Sequence, residues 1–345
     1  MGSGDGGNRA ADDSGRNEQD SVRWAIDHAD LDSLTAAVDS LCLDARFADL
    51  VELRHRCRAA VQRGLQLWPV AAYCDYRLAL EAPAPLALTG LGETSERFML
   101  GPFPEVLAST HTFAELSEWL PRSPDAAAVA HECVVNGEDL RADDVAKAFP
   151  DVFGLPLALC PWEPKYATAY YAPDRARFDA PNGVAPTEII ALQPGTRVSD
   201  PLVSGALADL VSPWVAKSNG RVDVASVEGR AEMAIASLGL GQAAIVEISA
   251  QDAIAQMAWA AASGGAVGRR RGASAGRQVT WWALRALTGL DDEEIVDADE
   301  LGEAVGELRW YRWSDGSPDT GWSLRLAIED QIDGVAWAIA AIDAP

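Results

Sequence analysis

The chain has 345 residues, with 28 basic and 52 acidic side chains and a formal net charge of −24. Its length suggests roughly two domains, and 48% hydrophobic with 23% charged residues is the balance of a globular protein with an ample core. So acidic a surface repels DNA, RNA and anionic lipid, which excludes a general nucleic-acid binder and a membrane-surface protein.

Residues 1–20 are mostly Gly, Asp, Asn, Ser and Arg, and they bury too little to offset the entropy of ordering. They are expected to be a disordered tail. Residues 21–150 read as an all-α bundle or short helical array. Leu31, Leu34, Val38 and Leu41 keep a helical period. Phe47, Leu50, Cys57, Val61, Leu65 and Trp68 form the next stripe, with Arg54 as its misfit. Pro69 starts a helix that turns Val70, Tyr73, Cys74 and Leu78 inward, and Pro83 and Pro85 end it. Thr112 and Glu115 have the spacing of a capping box, and Pro121 and Pro124 stop and restart the chain.

Residues 151–186 form a connector with six prolines, and also hold Trp162, Tyr166, Tyr170, Tyr171 and Phe178. Such a segment packs between domains or presents aromatics to a partner, and packing is the preferred reading. Residues 187–345 read as an α/β or α+β domain with a mixed sheet. Glu188–Leu192, Val222–Val227 and Ala243–Ile248 are strand-like, Glu228–Leu238 is helical, and Ser249 with Asp252 caps a helix through Ala262. A Gly/Arg loop over 264–277 leads into a helix that begins near Gln278 and carries Trp281, Trp282, Leu284 and Leu287. The end reads as antiparallel strands at Glu307–Trp313, Trp322–Ile328 and Val335–Ile342.

Five cysteines at irregular spacing in a long chain argue for reduced thiols in a cytosolic protein. Nothing marks a signal peptide, and no apolar run approaches about 18 residues. The localisation expected is cytoplasmic, with no membrane attachment.

Familiar motifs fail on context. Gly272-Ala-Ser274-Ala-Gly276 spells a serine-hydrolase elbow, but no strand precedes it and no histidine follows His131. Gly239-Leu-Gly241 runs from helix into strand, the reverse of a dinucleotide fingerprint, and reads as a helix stop. His131-Glu132-Cys133 and Cys160-Pro161 lack the spacing of a zinc deaminase. His55 and Cys57 lie two apart on a helix, facing away from each other. There is no phosphate-binding P-loop, and beyond residue 160 there is neither His nor Cys. No cofactor or metal is therefore expected. Asp291–Glu294 with Asp297, Asp299 and Glu300 read as a solvated acidic helix start.

One constellation stands out. Arg269, Arg270, Arg271 and Arg277 fall within fourteen glycine-rich residues of an acidic chain, with Ser274 among them. Arginine forks at a helix start suit phosphate or carboxylate. The competing reading is that they neutralise the protein's own acids. Around Ala258-Trp259 to Gly264-Gly265 and on to Arg277, and at Trp68-Pro69-Val70 with Asp75-Tyr76-Arg77, the wording resembles uncharacterised proteins of high-GC actinobacteria. The resemblance implies a bacterial cytosolic setting and no particular activity.

The leading expectation is a non-catalytic binding or scaffold protein. The first alternative is a phosphate- or nucleotide-binding protein, or a carboxylate-based enzyme, that uses the 264–277 loop with Arg269, Arg270, Arg271, Ser274 and Arg277. The second is an acidic, immunity-like partner of a basic protein, on charge alone. The partners expected are a protein or a small anionic ligand.

Overall fold

The computed structural model describes residues 19–93, 98–290, 297–317 and 321–344. Most of the expected tail lies outside the described residues, and residues 19–27 are helical. The chain divides into two compact units: Met1–Pro121 with Tyr171–Arg175, and Arg122–Tyr170 with Ala176–Pro345.

The first unit is helical. Its principal helices are α1 (Leu31–Leu43), α2 (Phe47–Gln62), α3 (Trp68–Glu81) and α4 (Phe103–Thr110). Asp30 caps α1 by accepting the Ser33 N–H at 3.1 Å. Leu34, Val38, Leu50, Cys57, Val70, Cys74 and Leu78 are buried, as their spacing predicts. The stripe along α2 closes on Leu67 instead of Trp68, which begins α3 and is exposed. Arg54, the misfit of that stripe, is 1% exposed. Its Nε lies 2.5 Å from the Asp75 carboxylate, and its Nη2 donates to the Thr89 carbonyl at 2.8 Å. A charge on the apolar face is tolerated because α3 supplies its counter-ion. The capping box at Thr112 and Glu115 is formed on both sides.

The second unit begins earlier than residue 151. Helix α5 (Pro124–Val135), read from sequence as part of the helical half, belongs with the sheet. The reason is long-range: Glu132 on α5 bonds to Ser274, 142 residues later. The main sheet has seven strands: β1 (Glu188–Ala191), β2 (Thr196–Arg197), β3 (Arg221–Glu228), β4 (Gln242–Ile248), β5 (Arg309–Ser314), β6 (Trp322–Asp330) and β7 (Val335–Asp343). Their order is β1-β4-β5-β6-β7-β3-β2. Of the mixed sheet expected, only antiparallel pairings are realised, so the unit is α+β.

On the central strands β6 and β7, the two faces of the sheet carry residues of different size. Leu324, Leu326 and Ile328 on β6, and Trp337 and Ile339 on β7, pack with α6 (Pro201–Asp209), α7 (Ala250–Ala262), α8 (Ala273–Thr288) and α9 (Ala298–Glu307). The alternating Ala327, Ala336 and Ala338 face the short helix Ala231–Ala236. Period-two alternation of large and small residues lets that helix lie close to the strands. The helix is shorter than the expected 228–238, because β3 runs on to Glu228. The helix ends at Ala236, and the turn after it closes at Gly239, whose φ is +97° and whose N–H donates to the Ala236 carbonyl at 2.9 Å.

Ser249 caps α7 by accepting the Asp252 N–H at 3.0 Å. Helices α7 and α8 touch through backbone at Gly276, where an added Cβ would lie 2.4 Å from the Ala258 carbonyl. Asp297 caps α9 and accepts the Asp299 N–H at 2.8 Å, the solvated acidic start expected there, while 291–296 lie outside the described residues. Among the described residues no helix is long and apolar enough to cross a membrane.

Candidate functional site

The Gly/Arg loop is folded on itself. A Cβ at Gly264 would lie 2.2 Å from the Arg269 backbone, and one at Gly268 would lie 2.1 Å from the Gly264 carbonyl. The Arg271 N–H ties back to the Ala262 carbonyl at 2.7 Å. Gly272, at φ +101°, then starts α8 at Ala273, five residues before the expected Gln278. Ser274 and Arg277 are therefore helical residues and not loop residues.

Both are consumed by the fold. Ser274 donates its hydroxyl to Glu132 at 2.7 Å and its N–H to the same oxygen at 3.1 Å. Arg277 is 0% exposed. Its Nε and Nη2 each meet a different oxygen of Glu163 at 2.8 Å. Its Nη1 and Nη2 also donate to the Pro156 and Ala158 carbonyls, each at 3.0 Å. Glu163 also accepts the Tyr166 hydroxyl at 2.6 Å, the Trp281 indole N–H at 2.8 Å and the Cys160 N–H at 2.8 Å. Burial pulls the Glu163 carboxyl up, but the bonds and charge of Arg277 outweigh it and hold it below the ordinary value. For Arg277 the self-neutralising alternative describes the geometry, with Glu163 as the acid. Ser274 and Arg277 are both buried and bonded within the fold.

Arg269 and Arg271 are exposed. Arg270 leaves the loop in another direction and lies flat on Phe178, with its guanidinium carbon 3.3 Å from the ring centre. Phe178 comes from the aromatic connector and opens a stack. Its ring is 6.0 Å from Trp259 at an interplanar angle of 25°. Trp259 is 4.8 Å from Trp322 at 22°. Trp214 closes the inner end edge-on to Trp259 and donates its indole N–H to Ser263 at 2.8 Å.

A cleft of about 380 Å³ opens beside the stack, lined by Phe178, Gln256, Trp259, Arg312, Trp322 and Ser323 among others. Trp259 is 8% exposed, and its indole N–H has no hydrogen-bond partner among the described residues. A buried donor left unpaired is costly and is uncommon without a use. Among the described residues, Asp179 is the one carboxylate in the lining, and it is paired with Arg177 at 2.9 Å. Among the described residues, the lining offers aromatic faces, the amide of Gln256 and the guanidinium of Arg312.

Of the expected site residues, the structure brings Arg270 alone to this cleft, through Phe178. Trp259, Trp322, Gln256 and Arg312 were not singled out as a site. Trp259 and Trp322 are 63 positions apart in sequence on α7 and β6, and only the antiparallel packing joins them. A signal did exist in the aromatic connector that contains Phe178.

The zinc-like fragments resolve differently. His131 is buried and Glu132 serves as the acceptor at the start of α8. The five cysteines are free thiols, four of them buried. Burial raises Cys42 to about 11, Cys57 to about 12 and Cys160 to about 11, so none is a nucleophile near neutral pH. No curated protein and no solved structure matches the chain. A family model described as "Family of unknown function (DUF6183)" matches residues 32–343, and the chain belongs to that family.

Proposed function

We propose that this is a non-catalytic binding protein whose ligand is a small planar molecule bearing an anionic group, such as a nucleotide, held in the Phe178–Trp259–Trp322 cleft. One observation carries the reading: parallel aromatic rings line a cleft beside a buried indole N–H that lacks a partner. A planar ring extends such a stack, and an anionic oxygen answers the N–H and the guanidinium of Arg312. Five free thiols support a cytosolic setting.

The test is calorimetric titration with adenosine 5′-monophosphate, flavin mononucleotide, adenosine and inorganic phosphate. At least one planar anion should bind saturably, and more tightly than adenosine or phosphate alone. Base–aromatic stacking contributes about 1–3 kcal/mol, so Trp322→Ala should weaken that ligand by roughly five-fold or more. Saturable binding by none of the planar anions, or equal affinity in Trp322→Ala, would overturn the reading.

A further inference from the structure

A second cavity, of about 240 Å³, lies elsewhere in the same unit, between α5 and the chain from Ala146 to Leu157. Its walls are Ala127 and Ala130 on α5, with Phe149, Pro150, Leu155 and Leu157 opposite. Alanines at these helix positions leave the space that larger residues would fill. The charged lining residues, Lys147 and Asp151, are solvent-exposed, and the other lining side chains apart from His131 are apolar.

One polar side chain reaches this wall. His131 is 4% exposed, and its ring packs against Phe153 at 4.6 Å. Its Nδ1 is buried and has no hydrogen-bond partner among the described residues. Burial, reinforced by the nearby Arg277 charge and opposed by Asp151, lowers its pKa to about 4, so the ring is neutral at physiological pH. A neutral imidazole nitrogen is an acceptor or a donor according to tautomer. A hydroxyl can answer either. In size, an engineered apolar cavity of about 150 Å³ accepts benzene, so this one has room for a ring with a substituent.

We propose that this cavity is a ligand site for a small, mostly apolar molecule with one hydroxyl group, of the size of a phenol. The ring lies against the Ala127, Ala130, Phe149 and Leu155 walls, and the hydroxyl bonds to His131 Nδ1. The site is independent of the aromatic cleft, and its test uses different probes.

Phenol and toluene have the same ring and differ in carrying a hydroxyl or a methyl group of similar size, and both are titrated into the full chain by calorimetry and followed by the imidazole NMR signals of His131. Phenol should bind saturably and roughly tenfold more tightly than toluene, the worth of one hydrogen bond. Phenol should also shift the His131 signals. In His131→Leu the two probes should bind equally, whereas His131→Gln should keep a preference for phenol. Ala130→Leu should abolish both, and Trp322→Ala should change neither. Toluene binding as tightly as phenol to the unmodified protein would overturn the role of His131. Saturable binding by neither probe, or phenol binding unaltered in Ala130→Leu, would overturn the site. Should a variant fail to fold, the phenol-to-toluene ratio and the His131 signals of the unmodified protein still decide the matter.

Discussion

The Glu132 carboxylate accepts both the hydroxyl and the backbone N–H of Ser274, through one oxygen, at 2.7 and 3.1 Å. A helix start attracts anions because its first N–H groups are unpaired and its dipole is positive there. The protein fills that position on α8 with its own carboxylate. This places Ser274 outside any hydrolase chemistry and makes α5 part of the second unit. Removing only the hydroxyl, in Ser274→Ala, should cost about 1–2 kcal/mol, because the N–H bond survives. Glu132→Ala should cost more, about 2–3 kcal/mol, because both donors lose their acceptor. Urea unfolding of the two variants checks the order, and equal stability of Glu132→Ala and the unmodified protein would contradict it.

The Arg277–Glu163 pair is the second tie, linking α8 to the chain before β1. Both side chains are fully buried and every polar atom is engaged. Breaking such a pair leaves an uncompensated buried charge, so Arg277→Met should destabilise by about 3–5 kcal/mol. Glu163→Gln combined with Arg277→Met removes both charges and should recover part of that loss. Denaturant midpoints of the single and double variants provide the measurement. A double variant less stable than Arg277→Met alone would show that the stranded Glu163 charge is not the cause.

Much of the fold was legible because local signals and tertiary packing agree. The heptad-like spacing of Leu34, Val38, Cys74 and Leu78, the Thr112–Glu115 box, and the alternation along Val335–Ile342 all lie where the spacing puts them. The site was less legible. Clustered arginines signal positive charge in sequence, but not its partner. Arg277 is neutralised by Glu163, 114 positions away, and Arg270 rests on the ring face of Phe178. Neither partner lies within reach of a local pattern. Trp259 and Trp322 meet only once β6 packs under α7, which periodicity within either element cannot show.

The thiols supply a third prediction. Cys42, Cys57, Cys74 and Cys133 are buried with their thiols held protonated by desolvation. Cys160 is half-buried, and burial together with the Glu163 charge keeps it protonated as well. Labelling of the native protein by a thiol-specific disulfide reagent at pH 8 should be slow and confined to Cys160. All five should react after unfolding. Rapid native labelling of two or more cysteines, located by mass mapping, would contradict this burial.

His131 predicts how stability changes with acid. Its ordinary pKa is 6.5, and in the fold burial, with Arg277 adding to it, lowers that to about 4. The unfolded chain therefore binds a proton between these values that the folded chain refuses, so stability falls as pH drops through that window. A tenfold difference in proton affinity between the two states corresponds to about 1.4 kcal/mol, so the loss should reach about 2 kcal/mol at pH 5 and about 3 kcal/mol at pH 4. Many carboxylates also titrate near the lower end, so the difference between the unmodified protein and His131→Gln isolates this residue. Glutamine keeps a polar side chain and carries no titrating group. Its unfolding free energy should run parallel to that of the unmodified protein above pH 7 and decline less steeply between pH 6.5 and 4. Parallel curves throughout would show that His131 protonates in the fold as readily as in water, and that it is not sealed from solvent.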